Sequence, residues 1–308
     1  MKKRIFFLLF VGMVFITCSR SVNEPIDNQV LPLSLEAQIG EPIEQINVRG
    51  DGNEQTNLTN YFLKNDAIGL FMENQPAVKW IKNEAEWEGE VNMYWPSKNN
   101  SFHFYAFYPY TSATTSTSIP MPSLKTQNGI LKDTHAYDFL VAAKNQDYGK
   151  NGTVAFTGTN CFKHVSCLLS LTFKGIDSME NAEFTRITLN GTNLISASTY
   201  SFTNGKVTYT DNSQELTINN TIQASATGTT YNVIVNALDS KVSLNIEYKV
   251  GEQSYKASLS ELTSTLKSGY QQKYTIEVKG AELRITGTEV QPWVTGETKI
   301  ITIDGEEI

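Results

Sequence analysis

Apolar and polar residues alternate with a period of two along most of this 308-residue chain, with Thr, Val, Ile, Tyr and Phe filling the runs and Gly, Asn and Asp separating them. Such alternation places successive side chains on opposite faces of an extended segment, whereas an amphipathic helix repeats every 3.6 residues. The chain is therefore all-β. Strands are predicted over residues 31–39, 67–72, 102–108, 168–173, 185–190, 231–235, 242–250 and 273–278. The turns Thr203-Asn204-Gly205-Lys206 and Val250-Gly251-Glu252 have the composition of hairpin connections. A Ser/Thr-rich loop is expected from Thr111 to Ser118, and a short helical stretch from Ser258 to Leu266. No repeat of fixed period is visible, which excludes solenoids and propellers.

Hydrophobic residues make up 40% of the chain and charged residues only 19%, a balance that supports a packed globular core. The formal net charge is -7, and past the first few residues no basic cluster occurs, so nucleic acid is not expected as a partner. The first residues are Lys2-Lys3-Arg4, an apolar run from Ile5 to Ile16, then Thr17-Cys18. About a dozen apolar residues are too few to span a bilayer, which takes roughly 20. Residues 1–18 thus read as a signal peptide, with Cys18 the expected lipidation site. The alternative is an ordinary secretory signal cut slightly later, but Ser19 to Glu24 offer no small-x-small site. Cys161 and Cys167 are six positions apart. On one continuous strand their sulfurs would lie about 20 Å from each other, far beyond disulfide reach, so two buried thiols are expected.

Two segments stand out. In Leu31-Pro32-Leu33-Ser34-Leu35-Glu36-Ala37-Gln38-Ile39 the residues Leu31, Leu33, Leu35, Ala37 and Ile39 all face one side of a strand. The polar stretch after it carries a single arginine, Arg49, followed by Gly50, and an exposed arginine there is open to an arginine-specific protease. Removing the strand would expose four large aliphatic side chains, a loss of about 6–12 kcal/mol at roughly 1.5–3 kcal/mol each. That is comparable with a whole domain's stability. The second segment is the C-terminus, where Lys299-Ile300-Ile301-Thr302-Ile303 forms a spare strand-like run after an apparently complete domain. A terminal strand of this kind can add to a neighbour.

The order of Asn65-Asp66-Ala67-Ile68-Gly69-Leu70-Phe71, Tyr105-Ala106-Phe107-Tyr108-Pro109-Tyr110, Tyr137-Asp138-Phe139-Leu140-Val141-Ala142, Phe162-Lys163-His164-Val165-Ser166, Gly269 to Val278 and Val290-Gln291-Pro292-Trp293 resembles the fimbrillin-like (Mfa-like) family of type V pilus subunits. The resemblance implies two tandem transthyretin-like β-sandwich domains and export to the cell outer membrane as a lipoprotein precursor. It implies cleavage between Arg49 and Gly50, release of the strand 31–39, and its replacement by a strand of another subunit, for which residues 298–303 are the candidate donor. The expected organisation is a signal peptide at 1–18, a prosegment at 19–49, an N-terminal sandwich at 50–158 and a C-terminal sandwich at 159–308. The implied partners are other pilus subunits, an arginine-specific protease and, before cleavage, the outer membrane. The implied product is an adhesive fimbrium. The alternative is a surface lipoprotein of the same fold that never polymerises and binds a host or glycan ligand.

No nucleophile elbow, zinc-protease motif, P-loop or dinucleotide fingerprint occurs, so no enzyme activity, cofactor or metal is expected. His103, His135 and His164 are scattered among apolar or aromatic neighbours and read as packed or half-buried imidazoles. Glu84, Glu86, Glu88 and Glu90 share one strand face and read as a solvated row. The Arg49-Gly50-Asp51 tripeptide is a chance-level integrin match that cleavage would split. Phe102, Phe104 and Tyr108 fall on one face by alternation, expected to be core and not a sugar-stacking platform.

Overall fold

The computed structural model describes residues 31–40, 62–113, 115–175, 182–218, 220 and 227–293 apart from 280–281, with the backbone of 222–223. The first half contains β1 (Ser34–Ala37), β2 (Ala67–Met72), β3 (Val78–Lys82), β4 (Trp87–Gly89), β5 (Phe102–Tyr108), β6 (Ile119–Pro120), β7 (Leu140–Gln146), β8 (Thr153–Phe156) and β9 (Lys163–His164). The second contains β10 (Cys167–Gly175), β11 (Glu183–Gly191), β12 (Ser198–Ser201), β13 (Lys206–Tyr209), β14 (Glu215–Ile218), β15 (Ile222–Gln223), β16 (Thr229–Val235), β17 (Val242–Val250), β18 (Gln253–Thr263), β19 (Tyr270–Lys279) and β20 (Glu282–Pro292). The predicted all-β class is what is observed.

A six-stranded sheet in the order β4-β3-β2-β5-β7-β9 carries the first half, and all its pairings are antiparallel. One face packs Ile68, Leu70, Phe104, Ala106 and Tyr108 into a core with Trp80, Trp95, Phe156 and Phe162. Phe104 and Tyr108 are buried there as alternation predicts, with Phe102 packed against the same core. The opposite face is also covered. Phe71 and Phe107 meet Ile119, Phe139, Val165 and Tyr200, drawn from both halves of the chain. A strand buried on both faces needs no polar side, which explains why Ile68 to Met72 is apolar without a break. Gly69 belongs to this contact: a Cβ there would lie 2.2 Å from the Phe107 ring.

The second half builds two sheets, β16-β10-β19-β20 and β14-β11-β17-β18 with β15 on β11, around a core that includes Leu169, Leu171, Phe173, Phe184, Leu189, Tyr231 and Tyr248. Its central pair β10–β19 is parallel, from Leu168↔Gln271 to Gly175↔Val278. The hairpins at Asn204-Gly205 and Gly251 form as predicted, with Gly205 and Gly251 at positive φ.

Four expectations are corrected. Residues 258–266 do not form a helix, because β18 runs through them in an antiparallel ladder with β17. A register shift opposite Val242/Leu244 breaks the two-residue period, so the buried Leu262 and Leu266 fall at spacings that imitate a helix. Residues 153–156, absent from the predicted strands, form β8 between Gly149 and Gly158. His135 and His103 are exposed and not half-buried: His135 lies in the last turn of a 3-10 helix, and His103 lies near the start of β5 beside Glu73, 3.3 Å away. Only His164 is packed. Glu84, Glu86, Glu88 and Glu90 are exposed as expected, but only Glu88 lies on a strand, β4, so they do not line one strand face.

Cys161 and Cys167 are buried thiols on either side of the crossing from β9, in the first-half sheet, to β10, in a second-half sheet. Burial pushes the Cys167 thiol up to about 12, away from thiolate reactivity.

Candidate functional site

Residues 31–40 lie between two segments of the first half. On one side Pro32 bridges Tyr94 in the antiparallel sense, with Leu33 donating its amide to Met93 O at 3.0 Å and Trp95 donating to Leu31 O at 2.9 Å. Proline has no N–H to give, and the residues flanking it make the bonds. On the other side β1 runs parallel to β8 in the register Ser34↔Thr153, Leu35↔Val154, Glu36↔Ala155 and Ala37↔Phe156, and Ile39 continues it against Phe162. The amides of Ser34, Gln38 and Gly40 donate to the carbonyls of Gly152, Phe156 and Phe162. Phe162 donates back to Gln38 O at 2.9 Å. The strand is thus bonded on both sides.

Leu33, Leu35 and Ile39 are buried at 7–8% exposure, while Leu31 and Ala37 are partly buried and Ser34, Glu36 and Gln38 face out. The apolar alternation read from the sequence is therefore the burial pattern found. The groove floor is aromatic. Trp95 meets Phe104 and Phe62 meets both Trp87 and Phe162, each pair at 5.1 Å and edge-on. With three large side chains fully inserted, the strand's apolar contribution is about 5–9 kcal/mol at roughly 1.5–3 each.

Sequence reasoning missed the groove's walls. The Trp95 indole donates to Gly152 O at 2.8 Å, pinning the start of β8. Gly152 has φ +71°, and a Cβ there would lie 2.7 Å from the Tyr148 ring and 3.0 Å from Pro32 O, so only glycine fits. The signal was present in the alternation of Thr153-Val154-Ala155-Phe156, masked by glycines on both sides.

A second constellation sits where the chain passes between its halves. His164 Nδ1 bonds Asp138 Oδ2 at 2.8 Å with both side chains buried, and the imidazole stacks on Trp293. Among the described residues, Asp138 Oδ1, His164 Nε2 and the nearby Ser166 Oγ have no hydrogen-bond partner. A cavity of about 150 Å³ opens beside Val165 and Ser166 against Met121, Val207, Tyr209 and Asn236. Pockets that enclose small molecules run to roughly 300–1,000 Å³. Among the described residues no group of three His, Cys, Asp or Glu is placed to hold a metal, and no helix is long and apolar enough to cross a membrane.

Cys18, Arg49, Gly50 and the run Lys299, Ile300, Ile301, Thr302 and Ile303 lie outside the described residues.

The fold and groove define an all-β protein with two large hydrophobic cores and an N-terminal strand lodged in the first. A family model described as fimbrillin-like matches residues 53–293, and the chain belongs to that family. It is similar in structure to a candidate cell adhesion protein from Bacteroides uniformis, with TM-score 0.60 and 16% identity over 86% of this chain and 99% of that one. A candidate cell adhesion protein from Bacteroides ovatus gives TM-score 0.58 and 19% identity over 87% and 100%. A fimbrial protein from Bacteroides vulgatus gives 0.56 and 13% over 86% and 100%. These identities speak for the fold alone. No curated protein matches the chain.

Proposed function

We propose that this protein is a structural subunit of a cell-surface fimbrium, exported as a lipoprotein precursor and polymerised when a protease frees its first strand. The observation that carries the reading is the lodging of residues 31–40 between residues 93–95 and 152–162, with Leu33, Leu35 and Ile39 buried. The strand is linked to the rest of the fold through the segment that carries Arg49. Cleavage between Arg49 and Gly50 leaves it held by non-covalent contacts alone. Its departure uncovers an apolar groove and two rows of backbone groups, which a strand from a second subunit relieves. Membership of the fimbrillin-like family supports the same reading, and so do the similar proteins described as adhesive or fimbrial. In it, Cys18 carries the lipid, residues 298–303 supply the donor strand, and the two cores correspond to tandem sandwich domains that meet near residue 159.

The test is to treat purified precursor with an arginine-specific protease and resolve the products without boiling. A ladder of assemblies is expected from the wild-type chain and none from Arg49→Ala. Deleting residues 299–308 removes the ladder if the donor assignment is right. A cleaved chain that stays monomeric overturns the polymerisation reading in favour of a monomeric surface adhesin.

A further inference from the structure

β8 is a four-residue strand with an unusual support. The carbonyls of Gly152 and Phe156 point at the strand 31–40, so by the alternation of a β-strand the backbone groups of Thr153 and Ala155 point the other way, toward β7. β7 offers them no ladder: its backbone pairs with β5 and, at Leu140 and Val141 only, with β9. Side chains from β7 do the work instead. Gln146 Nε2 donates to Thr153 O at 2.6 Å, the Ala155 amide faces Gln146 Oε1 at 3.4 Å, and Lys144 Nζ donates to Ala155 O at 2.8 Å. A lone glutamine thus presents both a donor and an acceptor to the backbone, as a facing strand would.

The placement of these two residues is otherwise hard to explain. Leu140, Ala142, Lys144 and Gln146 share one face of β7, and the first two are buried in the core. Extending that row with apolar residues would suit the core but leave the Thr153 carbonyl and both backbone groups of Ala155 without partners, a costly outcome for backbone groups removed from water. Lys144 is partly desolvated against the Ala155 carbonyl, and burial pulls its ammonium below the ordinary lysine range.

Resting on the strand-exchange reading, we propose that Gln146 and Lys144 are positioning residues that hold β8 in register while the groove is empty, keeping a straight wall for the incoming strand of a second copy. While residues 31–40 are in place, β8 is held from both sides. Once they leave, the side-chain clamp is what keeps this short segment from fraying, since the groove-facing residues of β8 lose their only ladder at once. Without it, the receiving edge would have to order itself during insertion, which slows capture and weakens it.

The experiment is amide hydrogen exchange on the full chain, read at single residues. The strand is expelled by the double variant Leu33→Asp/Leu35→Asp. In that background Val154 and Phe156, whose amides face the groove, are expected to exchange freely while Ala155 stays protected. Adding Gln146→Ala and Lys144→Met should speed Ala155 exchange by about tenfold or more, the scale of one lost buried hydrogen bond or slightly above. Restoring the cation with Lys144→Arg should recover part of that protection. Protection at Leu70 and Ala106 reports whether the sheet is intact. If it is lost, the milder Leu35→Ala chain gives the same comparison. Ala155 exchanging as fast as Phe156 with Gln146 and Lys144 both present overturns the clamp. That outcome is separate from failure of the protease ladder, which overturns strand exchange and leaves the exchange data unaffected.

Discussion

The His164 imidazole lies flat against the Trp293 indole, ring centroids 3.8 Å apart and planes 8° from parallel. Trp293 also donates its amide to Gly269 O at 2.8 Å, and His164 is fixed at its ring edge by Asp138. The end of β20 is thereby fastened to the crossing between β9 and β10. Truncating Trp293 to Ala removes a large buried ring, and a loss of about 3–5 kcal/mol is expected in urea unfolding. His164→Ala strands a buried carboxylate and should cost a similar amount. The double variant His164→Ala/Asp138→Ala should lose distinctly less than the two singles combined.

Gly152 tests the groove wall without touching the inserted strand's side chains. Gly152→Ala forces a Cβ against Tyr148 and Pro32 O at positive φ and is expected to cost about 1–3 kcal/mol. Gly158→Ala, also at positive φ but with nothing within 4 Å of the new Cβ, isolates the backbone part alone at about 1–2 kcal/mol. Thermal unfolding of the two variants should rank them in that order.

Leu35→Ala removes most of a buried side chain at the centre of the strand and should lower stability by about 2–5 kcal/mol. Glu36→Ala, exposed one position further on, should change it by less than about 0.5 kcal/mol. Equal effects at the two positions would mean the strand is not seated as described.

The Asp211 carboxylate receives Lys125 Nζ at 3.0 Å together with the amides of Ala197 and Ser213. The Lys125 bond first, helped by these amides, holds its pKa at about 2, below the ordinary 3.8. A carboxyl depressed on folding contributes stability that is complete above 3.8 and disappears as pH falls through about 2. Acid titration of stability over that window should therefore be steeper in the wild-type chain than in Asp211→Asn, with the two curves parallel above pH 5.

The strands legible from sequence were those whose alternation is unbroken. Residues 67–72, 102–108 and 242–250 match the observed strands to the residue; in the first two the hydrophobic runs coincide with regular ladders, and in the third the alternation holds even though its ladder to β18 shifts register at Val242/Leu244. The inserted strand was legible for the same reason: Leu33, Leu35 and Ile39 show their burial in their spacing alone. What it lodges against was not. The partners at 93–95 and 152–162 lie about 60 and 120 positions along the chain, and no local pattern encodes a pairing at that distance. The helix expected at 258–266 failed at a register irregularity, where two steps along β17 face four along β18 and the two-residue period is lost. Gln146 and Lys144 carry no signal in the sequence, since their role is set by the absence of a ladder between β7 and β8 and not by anything in their own neighbourhood.

The segment 31–40 has a neighbour along each flank, antiparallel at its start and parallel for the remainder. Withdrawing it therefore unzips two rims, residues 93–95 beside its start and residues 152–162 beside the rest, not a single free border. Two molecules laid side by side could satisfy at most one rim and would leave the trough between them wet. Only a length of chain threaded down the middle closes both, so a molecule opened in this way favours intercalation over lateral stacking.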